Sequence, residues 1–327
     1  MRWCGHSLSS TGRQRCCRCD FFGGAKLSGT AVFACYNPSD DLLENCRRVL
    51  EQGLRAIVVD DGSPKDMSAL YAQIRALGIE LIELEQNSGI GFALNRGIER
   101  SFADGADFVI TLDQDTVLCD GYVDCVVETL KHVSTGGPVL LATEEISGYR
   151  PQDLGERNGL RLSREPLQSG LVVTARAYEI VGLLDEQLFI DCVDTEYYLR
   201  ARERGVETLV APGTKTIHEL GDEVERRAPR ILSLTRKAYT LREHAPFRLY
   251  YIARNRAYVY ARYGRRHPTW LKSSSYELFV TLFNEIVLPP DSTLRLFLVL
   301  RGFYGAARKE YGRIPAQVDA RARKISR

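Results

Sequence analysis

Two carboxylates one residue apart, Asp113 and Asp115 with Gln114 between them, follow directly on the apolar run Phe108-Val109-Ile110-Thr111-Leu112. An acidic pair at the end of a buried strand is costly unless a cation neutralises it. If strand alternation continues through the triplet, Asp113 and Asp115 point one way and Gln114 the other, so one divalent ion can meet both acids. Oxygen ligands suit Mg²⁺ or Mn²⁺, which are commonly held by one or two carboxylates, water and a substrate phosphate. The same triplet also reads as a solvated turn after a strand. The elements around it must separate the two readings.

Those elements alternate. Thr30 to Cys35 reads as a buried strand ending at Tyr36-Asn37, after which Ser39 or Asp40 caps a helix with Leu42, Leu43, Cys46, Val49 and Leu50 at helical spacing. Ala56-Ile57-Val58-Val59 is a second strand, closed by the turn residues Asp60-Asp61-Gly62-Ser63. A helix from about Lys65 to Leu77, a strand from Glu80 to Leu84 and a helix from about Ile90 to Ser101 lead to the Phe108 strand. This order predicts an α/β fold with a mainly parallel central sheet flanked by helices, whose ligands bind outside the carboxyl ends of the strands. Tyr36-Asn37, Asp60-Asp61 and the acidic triplet all fall on that edge. The small residues of Asn87-Ser88-Gly89-Ile90-Gly91 at a helix start would let backbone amides approach a nucleotide or phosphate, or simply cap the helix. They form neither a Walker loop nor a Gly-x-Gly-x-x-Gly fingerprint.

The chain's 327 residues suffice for one large α/β domain with an appendage. Its 44 Lys and Arg against 42 Asp and Glu leave a charge of +2, no chain-wide signature of a polyanion partner, and nucleic acid is not expected. Locally, Arg226 to Lys272 is basic and interleaved with tyrosines, a stripe that suits anionic lipid, nucleic acid or a phosphorylated substrate, or a solvated helix face. Of nine cysteines, Cys35, Cys46 and Cys125 sit in apolar patterns and behave as small hydrophobes, which fits a reducing cytosol. Cys4, Cys16, Cys17 and Cys19 near His6 have poor spacing for zinc; residues 1–28 read instead as a disordered leader or a start codon placed too far upstream. No apolar stretch reaches the roughly 18 residues of a membrane span, so the chain is not expected to cross a bilayer.

Taken together, Tyr36-Asn37-Pro38, Val59-Asp60-Asp61-Gly62-Ser63, Asn87-x-Gly89-Ile90-Gly91-x-Ala93-x-Asn95-x-Gly97 and Leu112-Asp113-Gln114-Asp115-Thr116 resemble the family 2 glycosyltransferases of GT-A (Rossmann-like) fold. The Asp-Gln-Asp form resembles the rhamnosyltransferase branch. Ser169-Gly170, Asp185-Glu186 through Glu196 with Arg200, His218-x-x-Gly221, Tyr251-x-x-Arg254-Asn255 and, weakly, Arg301-Gly302 and Gly305 extend the match. The resemblance implies an inverting transferase moving rhamnose from dTDP-rhamnose to a glycan or lipid-linked glycan of a cell-surface polysaccharide. Mn²⁺ or Mg²⁺ would be held by Asp113, Asp115 and His218. Asp60 would accept the base imide N–H, with Tyr36, Asp61, Asn87 and Gly89 around the nucleotide. Asp194 matches the position of the base that takes the acceptor's proton, with Asp191 and Glu196 as nearby alternatives; the apolar Val193 before it would help raise its pKa. Arg254 would contact donor phosphate or an anionic acceptor, and Asn255 would support the loop.

The domain reading is a leader over 1–28, a nucleotide-sugar-binding catalytic domain over 29–225 and a basic helical C-terminal extension over 226–327. Acceptor-selecting loops are expected in the polar stretch Thr143 to Gln168 and in the 219–245 segment. After Thr269, Tyr276, Leu278, Phe279, Leu282 and Phe283, then Leu296, Phe297 and Phe303, form apolar helices with basic flanks. These suit a cytoplasmic enzyme that touches the inner face of the membrane, or packing within the chain or in a homodimer. The alternative is a glycosyltransferase of the same fold using another UDP- or dTDP-sugar; a sugar-phosphate nucleotidyltransferase or a non-catalytic sugar-nucleotide-binding protein would also share the metal edge, but the former leaves Asp194 and His218 without a role.

Overall fold

The computed structural model describes residues 27–133, 138–218, 223–227, 238–242 and 244–323. The leader, with Cys4, Cys16, Cys17, Cys19 and His6, lies outside the described residues, as does most of the 219–245 segment. The chain runs β1 (Gly29–Cys35), α1 (Asp41–Glu51), β2 (Arg55–Asp60), α2 (Ser68–Ala76), β3 (Glu80–Glu83), α3 (Ile90–Ala103), β4 (Phe108–Asp113), β5 (Val117–Leu118), α4 (Tyr122–Val133) and β6 (Val139–Ile146). It continues through β7 (Gln152–Arg157), β8 (Leu160–Arg164), β9 (Leu171–Thr174), α5 (Ala175–Val181), a 3-10 turn (Glu186–Leu188), α6 (Val193–Glu203) and β10 (Glu207–Ile217). Last come β11 (Glu223–Arg227), β12 (Ala238–Arg242), α7 (Pro246–Tyr263), α8 (Pro268–Val287), α9 (Ser292–Ala307) and α10 (Ala316–Arg323).

The strands of one sheet lie in the order β3-β2-β1-β4-β9-β6-β10-β8-β7, with β5 on β10. β3, β2, β1 and β4 are mutually parallel, as are β6 and β10. β9 runs antiparallel between β4 and β6, a reversal that strand periodicity does not encode. β1 is buried along its whole length because apolar clusters cover both faces of the sheet, which explains its uninterrupted apolar run. Gly97 lets α3 lie close on β1: a Cβ there would come 2.3 Å from Val32 Cγ1.

The polar stretch Thr143 to Gln168 is more ordered than loops alone. β7 and β8 form an antiparallel hairpin at the edge of the sheet. The expected division at 225/226 falls inside β11, which pairs with β12. The C-terminal helices make their own core from Leu249, Tyr250, Leu294, Leu298 and Val299, with Phe189 and Ile190 of the loop before α6 packed against it. Gly302 makes this possible, since a Cβ there would lie 2.4 Å from the Tyr250 carbonyl oxygen. The basic stripe is divided by this packing: Arg254, Tyr250, Tyr251 and Tyr263 are buried, and Arg248 pairs with Asp191. No helix among the described residues is long and apolar enough to cross a membrane.

Candidate active site

A cleft of about 1300 Å³ opens at the carboxyl ends of β1, β2 and β4. Its wall includes Tyr36, Asp61, Asn87, Gly89, Asp113, Asp115, Asp194 and His218. That volume exceeds the usual small-ligand pocket and leaves room for two substrates.

At its centre, ligand atoms of Asp113, Asp115 and His218 all lie within 4.8 Å of one another. His218 Nε2 is 3.6 Å from Asp113 Oδ2, and Nδ1 is 3.2 Å from Asp115 Oδ1. β4 ends at Asp113, and Gln114 and Asp115 belong to a turn, so the two acids converge through the turn and not through strand alternation. Gln114 also lines the cleft, but its polar atoms are taken: its Oε1 accepts the Tyr36 backbone N–H at 2.8 Å and its carbonyl accepts from Asn45 Nδ2 at 3.0 Å. Behind the acids, Ser169 Oγ accepts the Asp113 N–H at 2.9 Å and meets Thr116 Oγ1 at 2.6 Å, and Thr116 Oγ1 lies 2.9 Å from His218 Nδ1. This chain orients the imidazole with Nδ1 engaged, leaving Nε2 on the Asp113 side. Ser169 and Thr116 had no chemical signal of their own in the sequence beyond their place in the ordered motifs.

The donor set fits a hard divalent ion with one nitrogen ligand. Asp113 Oδ1 is buried and has no hydrogen-bond partner, a costly state for a carboxylate that a cation would relieve. Burial pushes the Asp113 carboxyl up to about 6 from an ordinary 3.8; His218 opposes this, and Asp115 and Asp194 reinforce it.

Asp194 stands in the first turn of α6, and burial raises its carboxyl above the ordinary range, opposed by the Thr195 N–H at 2.7 Å and by Arg256. Phe189, Asp191 and Cys192, just before it, all have positive φ (60°, 66° and 62°), a costly backbone for non-glycine residues. Asn255 holds it there: its Nδ2 donates to the carbonyls of Leu188, Ile190 and Asp191 at 2.7, 2.7 and 2.9 Å. The alternatives to Asp194 are occupied. Asp191 pairs with Arg248 at 2.5 Å, and the fully buried Glu196 is tied to Arg200 and to Tyr263 Oη.

Three expectations need correction. Arg254 does not reach the cleft; it is fully buried and donates to backbone carbonyls of Gly312 at 2.6 Å and Leu188 at 3.1 Å, because α9 and the chain after it close over α7. Asp60 is buried, accepts from Ser63 N and Oγ within its own turn and does not line the cleft; the equally buried Asp61 is the acid on the cleft wall. Three amides at the start of α3 are already taken: Ser88 N and Gly89 N donate to Asp61 at 2.7 and 2.8 Å, and Ile90 N donates to the Phe189 carbonyl at 2.8 Å. Gly89 serves close packing instead, with φ of 100° and a Cβ position only 2.5 Å from the Phe189 oxygen.

Residues 30–168 match the family model described as Glycosyl transferase family 2. The dTDP-rhamnosyl transferase RfbF of Shigella flexneri is 30% identical over 277 residues, which cover 79% of this chain and 87% of that protein. A poly-beta-1,6-N-acetyl-D-glucosamine synthase of Staphylococcus aureus (strain MSSA476) is 30% identical over 128 residues, 36% of this chain and 30% of its own length. Among solved structures, S. aureus TarS 1-349 in complex with UDP-GlcNAc shares the fold, with a TM-score of 0.51 and 16% identity over 90% of this chain and 83% of that one. The ordered motifs, the sheet and this long match together mean that the chain belongs to glycosyl transferase family 2 and is a glycosyltransferase of GT-A fold.

Proposed function

We propose that this glycosyltransferase moves rhamnose from dTDP-rhamnose to a lipid-linked precursor of a cell-surface polysaccharide, with inversion at the anomeric carbon. The observation that carries the transfer chemistry is the convergence of Asp113, Asp115 and His218 in one cleft with Asp194, around a buried carboxylate oxygen that has no partner. Asp113, Asp115 and His218 would hold Mn²⁺ or Mg²⁺, which supplies charge stabilisation to the departing diphosphate. Asp194 takes the proton of the acceptor hydroxyl as the new bond forms, and its raised affinity for protons suits that task. A single base fits direct displacement; retaining glycosidases use two carboxylates flanking the scissile bond. Tyr36, Asp61 and Asn87 wall the nucleoside end, and the buried Asn87 Oδ1, which lacks a partner, is an acceptor available there after a small shift. Rhamnose is supported by the 30% identity to a protein named as a dTDP-rhamnosyl transferase.

A lipid-linked acceptor is supported by α8, which lines the cleft with Leu278 and Thr281 and exposes Tyr276, Phe279 and Phe283. α9 adds exposed Leu296, Leu300 and Tyr304, and exposed Lys272, Arg308 and Lys309 complement anionic headgroups at the cytoplasmic membrane face. The test is a screen of purified protein with Mn²⁺ or Mg²⁺ against nucleotide sugars, read first as thermal protection and then as diphosphate release with glycan-lipid acceptors. Protection by dTDP-rhamnose is expected; protection only by another nucleotide sugar would remove the rhamnose assignment.

A further inference from the structure

We propose that Arg313, carried to the cleft on a C-terminal strap pinned by Arg254 and Tyr251, is a phosphate-binding cation for the nucleoside diphosphate half of the donor; this rests on the donor reading above. Five arginines line the cleft: Arg164, Arg248, Arg256, Arg313 and Arg323. Four of them pair with cleft acids, Arg164 with Glu277 at 3.8 Å as well as with the Glu165 it shares with Arg256. Arg164 lies 3.4 Å from Glu165, Arg248 lies 2.5 Å from Asp191, Arg256 lies 3.4 Å from Glu165, and Arg323 lies 2.9 Å from Asp319. Arg313 alone of the five makes no ion pair among the described residues, so it is the guanidinium in the cleft whose charge is left for a ligand.

Its backbone is held on both sides. Arg254 Nη1 donates to the Gly312 carbonyl at 2.6 Å, the Gly312 N–H donates to the Gln187 carbonyl at 2.8 Å, and the Ile314 N–H donates to Tyr251 Oη at 2.7 Å. Arg254 Nη2 also reaches the Leu188 carbonyl at 3.1 Å, so one buried side chain joins the strap to the turn before Phe189. The Phe189 carbonyl in turn accepts from Ile90 N at 2.8 Å and presses on Gly89, whose N–H is bound by Asp61. Strap, turn, Gly89 and Asp61 are therefore contiguous, which sets Arg313 beside the nucleotide wall. The Arg313 charge acts there already, lowering the Asp61 carboxyl against the stronger upward push of burial. A guanidinium on a pinned backbone can meet phosphate with its planar fork while less backbone freedom is lost on binding. Arg254, assigned to phosphate from the sequence, is thus a positioning residue for the arginine that takes that role.

The experiment is calorimetric titration of the full chain with dTDP, dTMP and thymidine in the presence of Mn²⁺, for wild type, Arg313→Gln and Arg313→Lys. Arg313 is exposed, so both variants should unfold at the wild-type temperature. Arg313→Gln is expected to weaken dTDP about 10- to 100-fold and leave thymidine unchanged, the size of a lost charge-assisted hydrogen bond. Arg313→Lys should recover part of that loss, since it restores charge without the fork. Equal affinity of wild type and Arg313→Gln for dTDP would overturn the inference, and so would equal losses for dTDP and thymidine. A wild-type protein that binds no nucleoside diphosphate would instead overturn the donor reading, and the inference with it.

Discussion

The acidic edge of the cleft and the clamp formed by α7 both bury charge, and they differ in whether that charge is satisfied. In the clamp, Arg254 gives its donors to the Gly312 and Leu188 carbonyls and to Asn255 Oδ1, and Asn255 spreads its amide over the carbonyls of Leu188, Ile190 and Asp191. Nearby, the buried pair of Arg295 and Glu285 is completed by Asp291 and His244. At the cleft, Asp113 keeps a buried oxygen without a partner, and burial raises both Asp113 and Asp194. A buried charge with every bond made rigidifies; one left incomplete is held ready for something the chain does not itself supply.

The largest expected effect sharpens the cleft side of this contrast. Asp194→Asn should lower turnover about 10²- to 10⁴-fold, the contribution of a positioned base, with donor affinity unchanged by calorimetry. Unchanged turnover would return the base assignment to Asp191 or Glu196. Next, Arg254→Met should destabilise folding by on the order of 3 kcal/mol, since each orphaned buried carbonyl costs about 1–3 kcal/mol. Denaturant melts would show this, while the Mn²⁺ affinity of the folded protein should stay the same. If stability were untouched and metal binding lost, the division between clamp and cleft would be broken.

A smaller effect follows from Asp113. Its carboxyl holds a proton up to about 6 when folded and to an ordinary 3.8 when not, so in metal-free protein this group favours folding at low pH and loses that contribution as pH rises through this window. A divalent ion binds only the ionised form and reverses the trend. The rise in Tm on adding Mn²⁺ should therefore be small at pH 5 and larger at pH 7.5; an equal rise at both would mean that Asp113 is not a ligand. The smallest expected change is that of Ser169→Ala, which removes the acceptor for the Asp113 N–H and the link to Thr116 and His218. It should weaken Mn²⁺ binding about 10-fold, the low end for a residue that orients metal ligands.

The N-terminal elements were legible in the sequence nearly to their ends. The helix expected from about Lys65 to Leu77 is Ser68–Ala76, and the one from about Ile90 to Ser101 is Ile90–Ala103. Such elements announce themselves because periodicity, caps and turn residues are local. The same locality misled at Arg254 and left the Gly89 helix start open between a phosphate contact and a plain cap. Residue type there suggested phosphate binding, while the partners that consume those donors lie far along the chain at Gly312 and Leu188, and in Asp61 and Phe189.

By itself the sequence determined the order of strands and helices from β1 to β4, their apolar character and the acids at the carboxyl edge, since each depends on neighbours within a few residues. Only the tertiary structure decided that β9 reverses between β4 and β6, that Thr116 meets a histidine 102 positions away, and that Asp61 and not Asp60 faces the cleft. The physical reason is that these outcomes depend on packing between distant elements, where competition among all available partners settles which polar group is consumed and which is left open to a ligand.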